Sequence, residues 1–278
     1  MRKALRLRRL SRPRDDRYLF VPLDHSVSDG PVVPRDRWPD LISSVVVGGA
    51  DAIIVHKGRI RTIDPMLLGG CALIVHLSAG TAHMADANAK VLVGEVEEAL
   101  RLGADAVSVH VNIGSDTEPR QLADFGVVAN ACDTWNVPLV AMVYPRGPRI
   151  ADANDPALLA HVVNIAVDLG ADIVKTNLAL PVERMAEVVE SCPIPVLVAG
   201  GPAVTGPVAG GPAVTGPATG GSLVDYARAS MAMGCAGLAV GRRVFTSPQP
   251  MSLVAELASV IHAEDPAGLV PAMSGAVS

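Results

Sequence analysis

Eight short apolar runs alternate with amphipathic segments along almost the whole chain. They consist mainly of Val, Ile, Leu and Ala, and most lack a regular alternation with polar residues. Uninterrupted apolar runs of this length are typical of strands that are covered on both faces of a parallel sheet. The eight predicted strands are Tyr18–Leu23, Ala52–His56, Ala72–Leu77, Ala106–Val111, Pro138–Val143, Asp172–Lys175, Pro195–Val198 and Ala236–Val240.

Segments with helical periodicity separate these runs, and glycines mark where several of them end. Gly49, Gly103, Gly170 and Gly234 each follow a helical pattern, three of them in the phrase Gly-Ala-Asp. Glycine is common just past a helix C-terminus because it adopts positive φ without a steric cost. The predicted helices are Asp86–Leu102, Arg120–Thr134, Pro156–Leu169, Pro181–Ser191 and Ser222–Met233.

Eight strands with alternating helices predict an α/β fold, a closed (β/α)8 TIM barrel in a single domain. The length of 278 residues suits this architecture, which needs roughly 250 residues. An open doubly wound sheet is the alternative, but no GxGxxG motif opens a first strand-to-helix turn. We expect the barrel to span residues 18–265, between an N-terminal basic arm (residues 1–17) and a C-terminal tail (residues 266–278).

Charge and composition argue against several classes of function. The formal net charge is −5, which does not favour a nucleic-acid partner. The basic arm lacks the apolar segment of a signal peptide, so we expect a cytoplasmic protein whose arm is solvated or contacts another subunit. No apolar run reaches the roughly 20 residues that span a membrane. The four cysteines form no CxxC pair, which argues against structural zinc.

Polar residues stand at the ends of many of these apolar runs. In (β/α)8 barrels the active site lies at the C-terminal ends of the strands, so side chains from several strands converge there. No HxH or HExxH motif is present, and we expect no metal and no cofactor. The strand-end candidates are Asp24, His25, Lys57, His76, Ser78, His110, Asn112, Tyr144, Arg146, Lys175, Asn177, Gly200, Gly201, Gly241 and Arg242.

Lys175 is the candidate with the most distinctive chemistry. Only four of the 23 basic residues are lysines, and this one ends an apolar strand. A desolvated lysine can lose its proton and act as a nucleophile, which arginine cannot do. Taken alone, the segment fits a salt-bridged lysine equally well. Lys57 also ends a strand and is the rival nucleophile, whereas Lys3 and Lys90 are assigned to the arm and to a helix face.

Tyr144 and Asp24 are the candidate acid and base groups. Tyr144 ends the strand that precedes that of Lys175, and Asp24 ends the first strand, followed by His25. A Schiff-base lyase needs such groups to move protons on its intermediates. Alternatively, Tyr144 is a hydrated rim residue and Asp24 a helix cap, and a structural role fits His25 and His110 as well.

Glycine turns after strands seven and eight suggest a phosphate site. Gly200-Gly201 and Gly241-Arg242 occupy the position where barrels often bind phosphate through backbone amides and arginine. A Gly/Pro repeat insertion covers residues 199–221, in which one decapeptide is duplicated almost verbatim. Its composition favours a mobile loop, and either Gly200-Gly201 or Gly210-Gly211 could hold the phosphate.

These motifs together resemble a known family. The ordered motifs are Asp24-His25, Tyr144-Pro145-Arg146-Gly147, Lys175-Thr176-Asn177, Gly200-Gly201-Pro202 and Gly241-Arg242. Over roughly residues 15–262 the chain resembles the archaeal-type class I aldolases, which include fructose-bisphosphate aldolases and 2-amino-3,7-dideoxy-D-threo-hept-6-ulosonate synthase. Ser26 departs from the pattern, because the family usually has Asp-His-Gly there.

The resemblance implies metal-free Schiff-base catalysis in a TIM barrel. It implies an imine-forming Lys175, a proton-donating Tyr144 and a catalytic Asp24. Family members commonly form decamers or related rings, so a homo-oligomer is expected. The residues then expected to bind substrate are His25, Lys57, Arg146, Gly200, Gly201, Gly241 and Arg242.

One branch of the family fits best. Its enzymes join dihydroxyacetone phosphate to L-aspartate 4-semialdehyde, giving a C7 amino-sugar acid phosphate for 3-amino-4-hydroxybenzoate-type biosynthesis. The alternatives within the class are a 2-amino-3,7-dideoxy-D-threo-hept-6-ulosonate synthase and a fructose-bisphosphate aldolase. An alternative of another class is a non-catalytic sugar-phosphate-binding barrel, which would keep the glycine turns without needing Lys175 together with Tyr144.

Overall fold

Eight parallel strands close into a barrel in the computed structural model, which describes residues 2–13, 15–200 and 222–263. Each strand pairs with its neighbours in chain order, and the first also pairs with the last. The strands are β1 Tyr18–Pro22, β2 Ala52–Val55, β3 Ala72–His76, β4 Ala106–Ile113, β5 Leu139–Pro145, β6 Ile173–Thr176, β7 Val196–Ala199 and β8 Gly237–Ala239.

Helices follow the strands on the outside of the barrel, and a short antiparallel hairpin (Ser78–Ala79 with Val91–Leu92) follows β3. Short 3-10 helices cover Arg35–Arg37, Pro65–Leu67 and Val182–Arg184. The α-helices are α1 Arg2–Leu7, α2 Trp38–Val47, α3 Lys57–Ile60, α4 Val96–Arg101, α5 Glu118–Trp135, α6 Pro156–Asp168, α7 Met185–Glu190, α8 Leu223–Ala232, α9 Arg242–Phe245 and α10 Pro250–Ile261.

The seam between β1 and β8 closes the barrel. Tyr18 lies opposite Gly237 there, and Phe20 lies opposite Ala239. The predicted (β/α)8 barrel is therefore confirmed, and the open doubly wound sheet is excluded. All eight predicted strands are present, with boundaries that differ by a few residues.

Two separate sets of buried side chains explain why the strands read as continuous apolar runs. Alternate residues point into the barrel, where Phe20, Ile54, Ile74 and Ile173 belong to one buried cluster. The residues between them point outwards and pack against the helices in a second cluster. Because successive strand side chains face opposite sides, both faces must be apolar.

Part of the basic arm packs against the barrel and is shielded from solvent. Helix α1 lies across the N-terminal end of the barrel, where Leu10 is fully buried in the interior cluster and Leu7 packs against it. The Arg6 guanidinium donates a hydrogen bond to the Ala104 carbonyl at 3.1 Å. The expectation of a solvated arm is wrong, because this end of the barrel needs an apolar cover.

The aspartates of the Gly-Ala-Asp phrases explain the basic character of the arm. Asp51, Asp105 and Asp172 each accept a hydrogen bond from a backbone N–H of a neighbouring strand, at 2.6, 3.1 and 2.8 Å. Lys3 then lies 2.9 Å from Asp172, and Arg9 lies 3.4 Å from Asp105. The arm thus pairs with carboxylates that are built into the strand starts.

Four of the five predicted helical segments contain the expected helix, but Asp86–Leu102 is mostly not helical. Only Val96–Arg101 forms a helix there. The Asp86 carboxylate accepts a hydrogen bond from the Asn88 N–H at 2.8 Å, and Val91–Leu92 forms the second hairpin strand. Such a side-chain-to-backbone bond competes with helix formation, which explains the error.

None of the helices within the described residues is long and apolar enough to cross a bilayer. Most of the repeat insertion at 199–221 and the tail at 266–278 lie outside the described residues. The predicted domain boundaries therefore stay predictions.

Candidate active site

Inward-facing side chains at the C-terminal ends of the strands form a polar chamber. The side chains that point into the barrel are apolar at the N-terminal ends of the strands and polar towards the C-terminal ends. Because the strands are parallel and in register, these ends meet at one mouth. The inward residues at this level are Asp24, His56, His76, His110, Asn112, Tyr144 and Lys175.

Lys175 supplies an amine inside this chamber. It lies opposite Met142 of β5 and is only 8% exposed. Within the described residues no carboxylate oxygen lies within 4.0 Å of its amine, so the salt-bridged interpretation does not apply there. An amine without an ion-pair partner in a buried site is available for nucleophilic chemistry.

Tyr144 lies on the neighbouring strand, one inward position beyond Met142. Its side chain is 5% exposed, so it is not a hydrated rim residue. The ring packs against His110, with 5.1 Å between ring centroids, and the Arg146 guanidinium lies 5.0 Å from its centroid. These contacts hold the phenol ring in the same chamber as the amine of Lys175.

The carboxylate of Asp24 faces two imidazoles. It lies 3.4 Å from Nδ1 of His25 and 3.7 Å from Nε2 of His76. Burial alone would raise the pKa of Asp24, but its coulombic interactions with His76, His25 and Lys175 outweigh this effect and lower that pKa. Asp24 is therefore ionised near neutral pH.

His76 is a buried, neutral partner of Asp24. Its Nδ1 lies 2.8 Å from the Ser108 hydroxyl, and burial lowers its pKa to about 4. A neutral His76 adds no charge to the chamber near pH 7. His56 packs on His76 with 5.2 Å between ring centroids, and burial lowers its pKa as well.

His25 and His110 sit on opposite sides of the chamber. Burial lowers the pKa of His25, and its ring packs edge-on against Phe245. Burial also holds the pKa of His110 well below its ordinary value, and the charges of Lys90 and Arg146 lower it further. Nε2 of His110 lies 2.8 Å from the Asn112 amide oxygen, which fixes its ring.

The expected phosphate-binding turns follow β7 and β8. A side chain at Gly200 would overlap Val240, and one at Gly241 would overlap the Pro22 carbonyl and the His25 ring. Both turns therefore need glycine for close backbone approach. Arg242 lies beside them and pairs with Asp29 at 2.6 Å. Gly201 and the alternative pair Gly210-Gly211 lie outside the described residues.

Lys57 does not join this group. Lys57 is the first residue of α3, and its amine lies 2.8 Å from the Glu98 carboxylate. The expectation that Lys57 binds substrate, or rivals Lys175, does not fit this placement. Among the described residues no group of three or more His, Cys, Asp or Glu side chains forms a potential metal-ligand set.

Two residues at the mouth of the barrel were not predicted from the sequence to belong to the site. Ala52 and Ile54 of β2 point into the barrel, and His56 is the next residue in this alternation. The alternation could therefore have predicted that His56 lies in the chamber. Lys90 was assigned to a helix face, but it precedes the second hairpin strand, and its charge acts on His76 and His110. No local pattern in the sequence marks this second case.

Comparison with known proteins identifies the family. The chain matches the family model described as DeoC/LacD family aldolase over residues 18–247. The 2-amino-4,5-dihydroxy-6-oxo-7-(phosphonooxy)heptanoate synthase of Streptomyces griseus is 46% identical over 276 residues, which cover 99% of this chain and 96% of that protein. The 2-amino-3,7-dideoxy-D-threo-hept-6-ulosonate synthase of Halobacterium salinarum is 36% identical, over 94% of this chain and 91% of that protein.

Solved structures share the architecture. A Schiff-base-forming fructose-1,6-bisphosphate aldolase superimposes with a TM-score of 0.80 at 23% identity, covering 94% of this chain and 100% of the other. An archaeal fructose 1,6-bisphosphate aldolase gives a TM-score of 0.79 at 24% identity, covering 93% and 98%. At these identities the likeness concerns the fold, whereas the family model and the closer relatives decide membership: the chain is an aldolase of the DeoC/LacD family.

Proposed function

We propose that this aldolase joins dihydroxyacetone phosphate to L-aspartate 4-semialdehyde. The product is 2-amino-4,5-dihydroxy-6-oxo-7-(phosphonooxy)heptanoate, a precursor for 3-amino-4-hydroxybenzoate-type biosynthesis. The identity of 46% to the Streptomyces griseus synthase, over nearly the full length of both chains, supports this choice of substrates. The observation that carries the chemistry is the buried amine of Lys175, which has no carboxylate within 4.0 Å among the described residues.

The reaction begins with attack of the Lys175 amine on the ketone carbon of dihydroxyacetone phosphate. Loss of water gives an iminium ion, which acidifies the protons on the adjacent C3. Asp24 or Tyr144 removes one of them, and the resulting enamine attacks the aldehyde carbon. Tyr144 gives a proton to the new alkoxide, and water releases the product from the lysine.

The other proposed contacts hold the substrates in place. Gly200, Gly201, Gly241 and Arg242 bind the phosphate, which is consistent with the close backbone approach at Gly200 after β7 and at Gly241 after β8. His25, whose Nδ1 lies 3.4 Å from the Asp24 carboxylate, contacts the bound ketone. Two further observations support a role in catalysis for Asp24, namely its lowered pKa and its two imidazole neighbours.

Borohydride trapping tests the nucleophile. Reduction in the presence of dihydroxyacetone phosphate should label the peptide that contains Lys175, as read by mass mapping, and Lys175→Met should abolish the label. A label on Lys57, or none, would contradict the assignment. Because no metal takes part in these steps, EDTA should leave the rate unchanged, and strong inhibition would indicate a metal-dependent aldolase.

The two other aldolases of the family remain the alternatives within this class. Comparing aspartate 4-semialdehyde with glyceraldehyde 3-phosphate as acceptor separates the proposal from a fructose-bisphosphate aldolase. Mass spectrometry of the product separates it from a hept-6-ulosonate synthase, whose 7-deoxy product carries no phosphate at C7. Binding of a sugar phosphate without turnover or trapping would instead favour a non-catalytic barrel.

A homo-oligomer, a decamer or a related ring, also belongs to this proposal. It rests on family membership, and exposed apolar side chains such as Val127 (64% exposed) and Trp135 (48% exposed) are compatible with subunit contacts. Light scattering coupled to gel filtration measures the subunit count directly. A monomer at micromolar concentration would contradict it.

A further inference from the structure

His76 is a buried imidazole to which the proposed reaction assigns no task. Its two ring nitrogens face different groups: Nδ1 lies 2.8 Å from the Ser108 hydroxyl, and Nε2 lies 3.7 Å from the Asp24 carboxylate. His76 is 5% exposed, and Ser108 is fully buried. A chain of contacts therefore runs from a buried hydroxyl, through a buried ring, to Asp24 at the mouth of the barrel.

The strand register brings His76 and Ser108 together. The two residues lie opposite each other on β3 and β4, and the Leu77 N–H donates a hydrogen bond to the Ser108 carbonyl at 2.8 Å. On the other side, Nδ1 of His56 donates a hydrogen bond to the His76 carbonyl at 3.1 Å, because a carbonyl can only accept. The two rings also pack with 5.2 Å between their centroids. The side chain of His76 is thus held from both neighbouring strands.

Ser108 determines which nitrogen of His76 carries the proton. Burial lowers the pKa of His76 to about 4, so the ring is neutral near pH 7 and has a single N–H. Within the described residues, the Ser108 hydroxyl forms its only hydrogen bond with Nδ1 of this ring. When the hydroxyl donates this bond, the ring proton is on Nε2 and faces the ionised Asp24. The reverse arrangement would leave a buried O–H without an acceptor and would turn a lone pair towards a carboxylate, and both cost free energy.

Asp24 is the ionised group at the end of this chain of contacts. Burial alone would raise the pKa of Asp24, but its interactions with His76, His25, Lys175 and His56 outweigh burial and lower that pKa. An ionised carboxylate in the chamber of the imine-forming lysine is a suitable proton acceptor when its orientation is fixed. A single N–H on a ring that two strands hold in place supplies this orientation.

We infer that Ser108 and His76 are positioning residues that hold the Asp24 carboxylate as the base for the C3 proton of the substrate iminium ion. The inference rests on the proposed function and gives this step to Asp24 rather than to Tyr144. The C3–H bond breaks, and its electron pair forms the C2=C3 bond of the enamine while the C2=N π electrons move to nitrogen. The carboxylate becomes a carboxylic acid, which then releases its proton to solvent. The 3.7 Å contact shortens when substrate binds, as is common for catalytic hydrogen bonds.

Exchange of the C3 protons of dihydroxyacetone phosphate in D2O, followed by NMR, isolates this step because it needs no aldehyde. Rates are expressed per imine trapped by borohydride, with Lys175→Met as the blank. Ser108→Ala should slow exchange about tenfold and lower kcat with little change in KM. Ser230→Ala is the matched control, because Ser230 is equally buried and donates a hydrogen bond at 2.8 Å, but within α8.

Two substitutions of His76 test the direction of its N–H and also serve if Ser108→Ala does not fold. His76→Gln keeps an N–H near the position of Nε2 and should retain more exchange than His76→Asn, whose amide reaches only the position of Nδ1. Equal losses in the two variants would overturn the assignment of the proton to Nε2, and with it the positioning role.

Combination with Asp24→Asn shows whether Ser108 acts through Asp24. In that background Ser108→Ala should slow exchange by less than about twofold further, since the group that it positions is already lost. Multiplicative losses, or an unchanged exchange rate in either single variant, would overturn this inference while leaving the proposed function intact. An absence of exchange in the wild type would overturn both.

Discussion

Lys175 and Tyr144 come together because two neighbouring strands are in register. Lys175 lies opposite Met142, and Tyr144 is the next inward residue after Met142. Both side chains point into the barrel because successive residues of a strand face opposite sides of the sheet. Lys57 instead begins helix α3 and pairs with Glu98, whereas Lys175 is a buried amine without a nearby carboxylate in the described residues.

Replacement of Tyr144 by Phe tests its proposed role in proton transfer. Loss of a general acid should lower kcat about 10²- to 10⁴-fold, because the new alkoxide then lacks a proton donor. Trapping of dihydroxyacetone phosphate on Lys175 should persist, since imine formation does not require the phenol. Tyr18→Phe is the matched control: Tyr18 is equally buried, but at the opposite end of the barrel interior. An unchanged kcat in Tyr144→Phe would contradict the assignment.

Among the elements, the N-terminal arm departs most from what the sequence suggested. Its charges implied solvent, but Leu7 and Leu10 face the barrel interior, and Lys3 and Arg9 pair with Asp172 and Asp105. The arm therefore closes the end of the barrel opposite the mouth. The signal was present in the repeated Gly-Ala-Asp phrase, which predicts a set of carboxylates at the strand starts.

Truncation of Leu10 measures how much the arm contributes to stability. Leu10 is fully buried, so Leu10→Ala should lower the free energy of unfolding by about 2–5 kcal/mol. Leu5→Ala in the same arm is the control, because Leu5 is 62% exposed and should change stability by less than about 0.5 kcal/mol. Urea denaturation measures both, and equal effects would indicate an arm that does not pack as described.

His262 links the end of α10 to the arm and to β2. Its ring nitrogens contact Asp15 and Asp51, and although burial lowers its pKa, these hydrogen bonds and the Asp51 charge outweigh that and raise it above the ordinary value of 6.5. A raised folded-state pKa stabilises the protein fully below about pH 6.5, and that stability is lost as the pH rises through the folded-state pKa.

Thermal and urea unfolding should therefore show a pH-dependent gap between the wild type and His262→Gln. We expect the wild type to be more stable by about 1.5–3 kcal/mol near pH 6, with a smaller difference near pH 9. His161→Gln, on the exposed side of α6, should show no such gap. A gap that grows towards alkaline pH would contradict the sign of this linkage.

For the whole molecule, closure of the barrel depends on the β1–β8 seam. A side chain at Gly237 would overlap the backbone of Tyr18, so the two strands could not pair. Gly237→Ala should therefore destabilise the protein by about 3 kcal/mol or more, or prevent folding.

Gly126→Ala is the matched control for Gly237→Ala. Gly126 lies within α5 and has open space around its Cα, so alanine should stabilise that helix by about 0.5–1 kcal/mol. Circular dichroism during heating measures both variants. A Gly237→Ala protein with the wild-type melting temperature would show that the seam tolerates separation.

The sequence by itself determined the eight strands, most of the helices, the barrel class and the set of strand-end residues. It could do so because covered parallel strands have a composition and spacing that depend only on local residues. Lys175, Tyr144 and Asp24 were found for the same reason, since each ends a strand.

Only the tertiary structure decided which of those residues share the chamber. In the structure Lys57 pairs with Glu98, His56 and Lys90 lie at the mouth of the barrel, and the arm packs against the N-terminal end of the barrel. These outcomes depend on side-chain direction and on contacts between residues far apart in the chain, such as Lys90 with Gly80 or Lys3 with Asp172. Pairing across such distances is set by how the closed barrel brings its strands and loops together, and no local pattern encodes it.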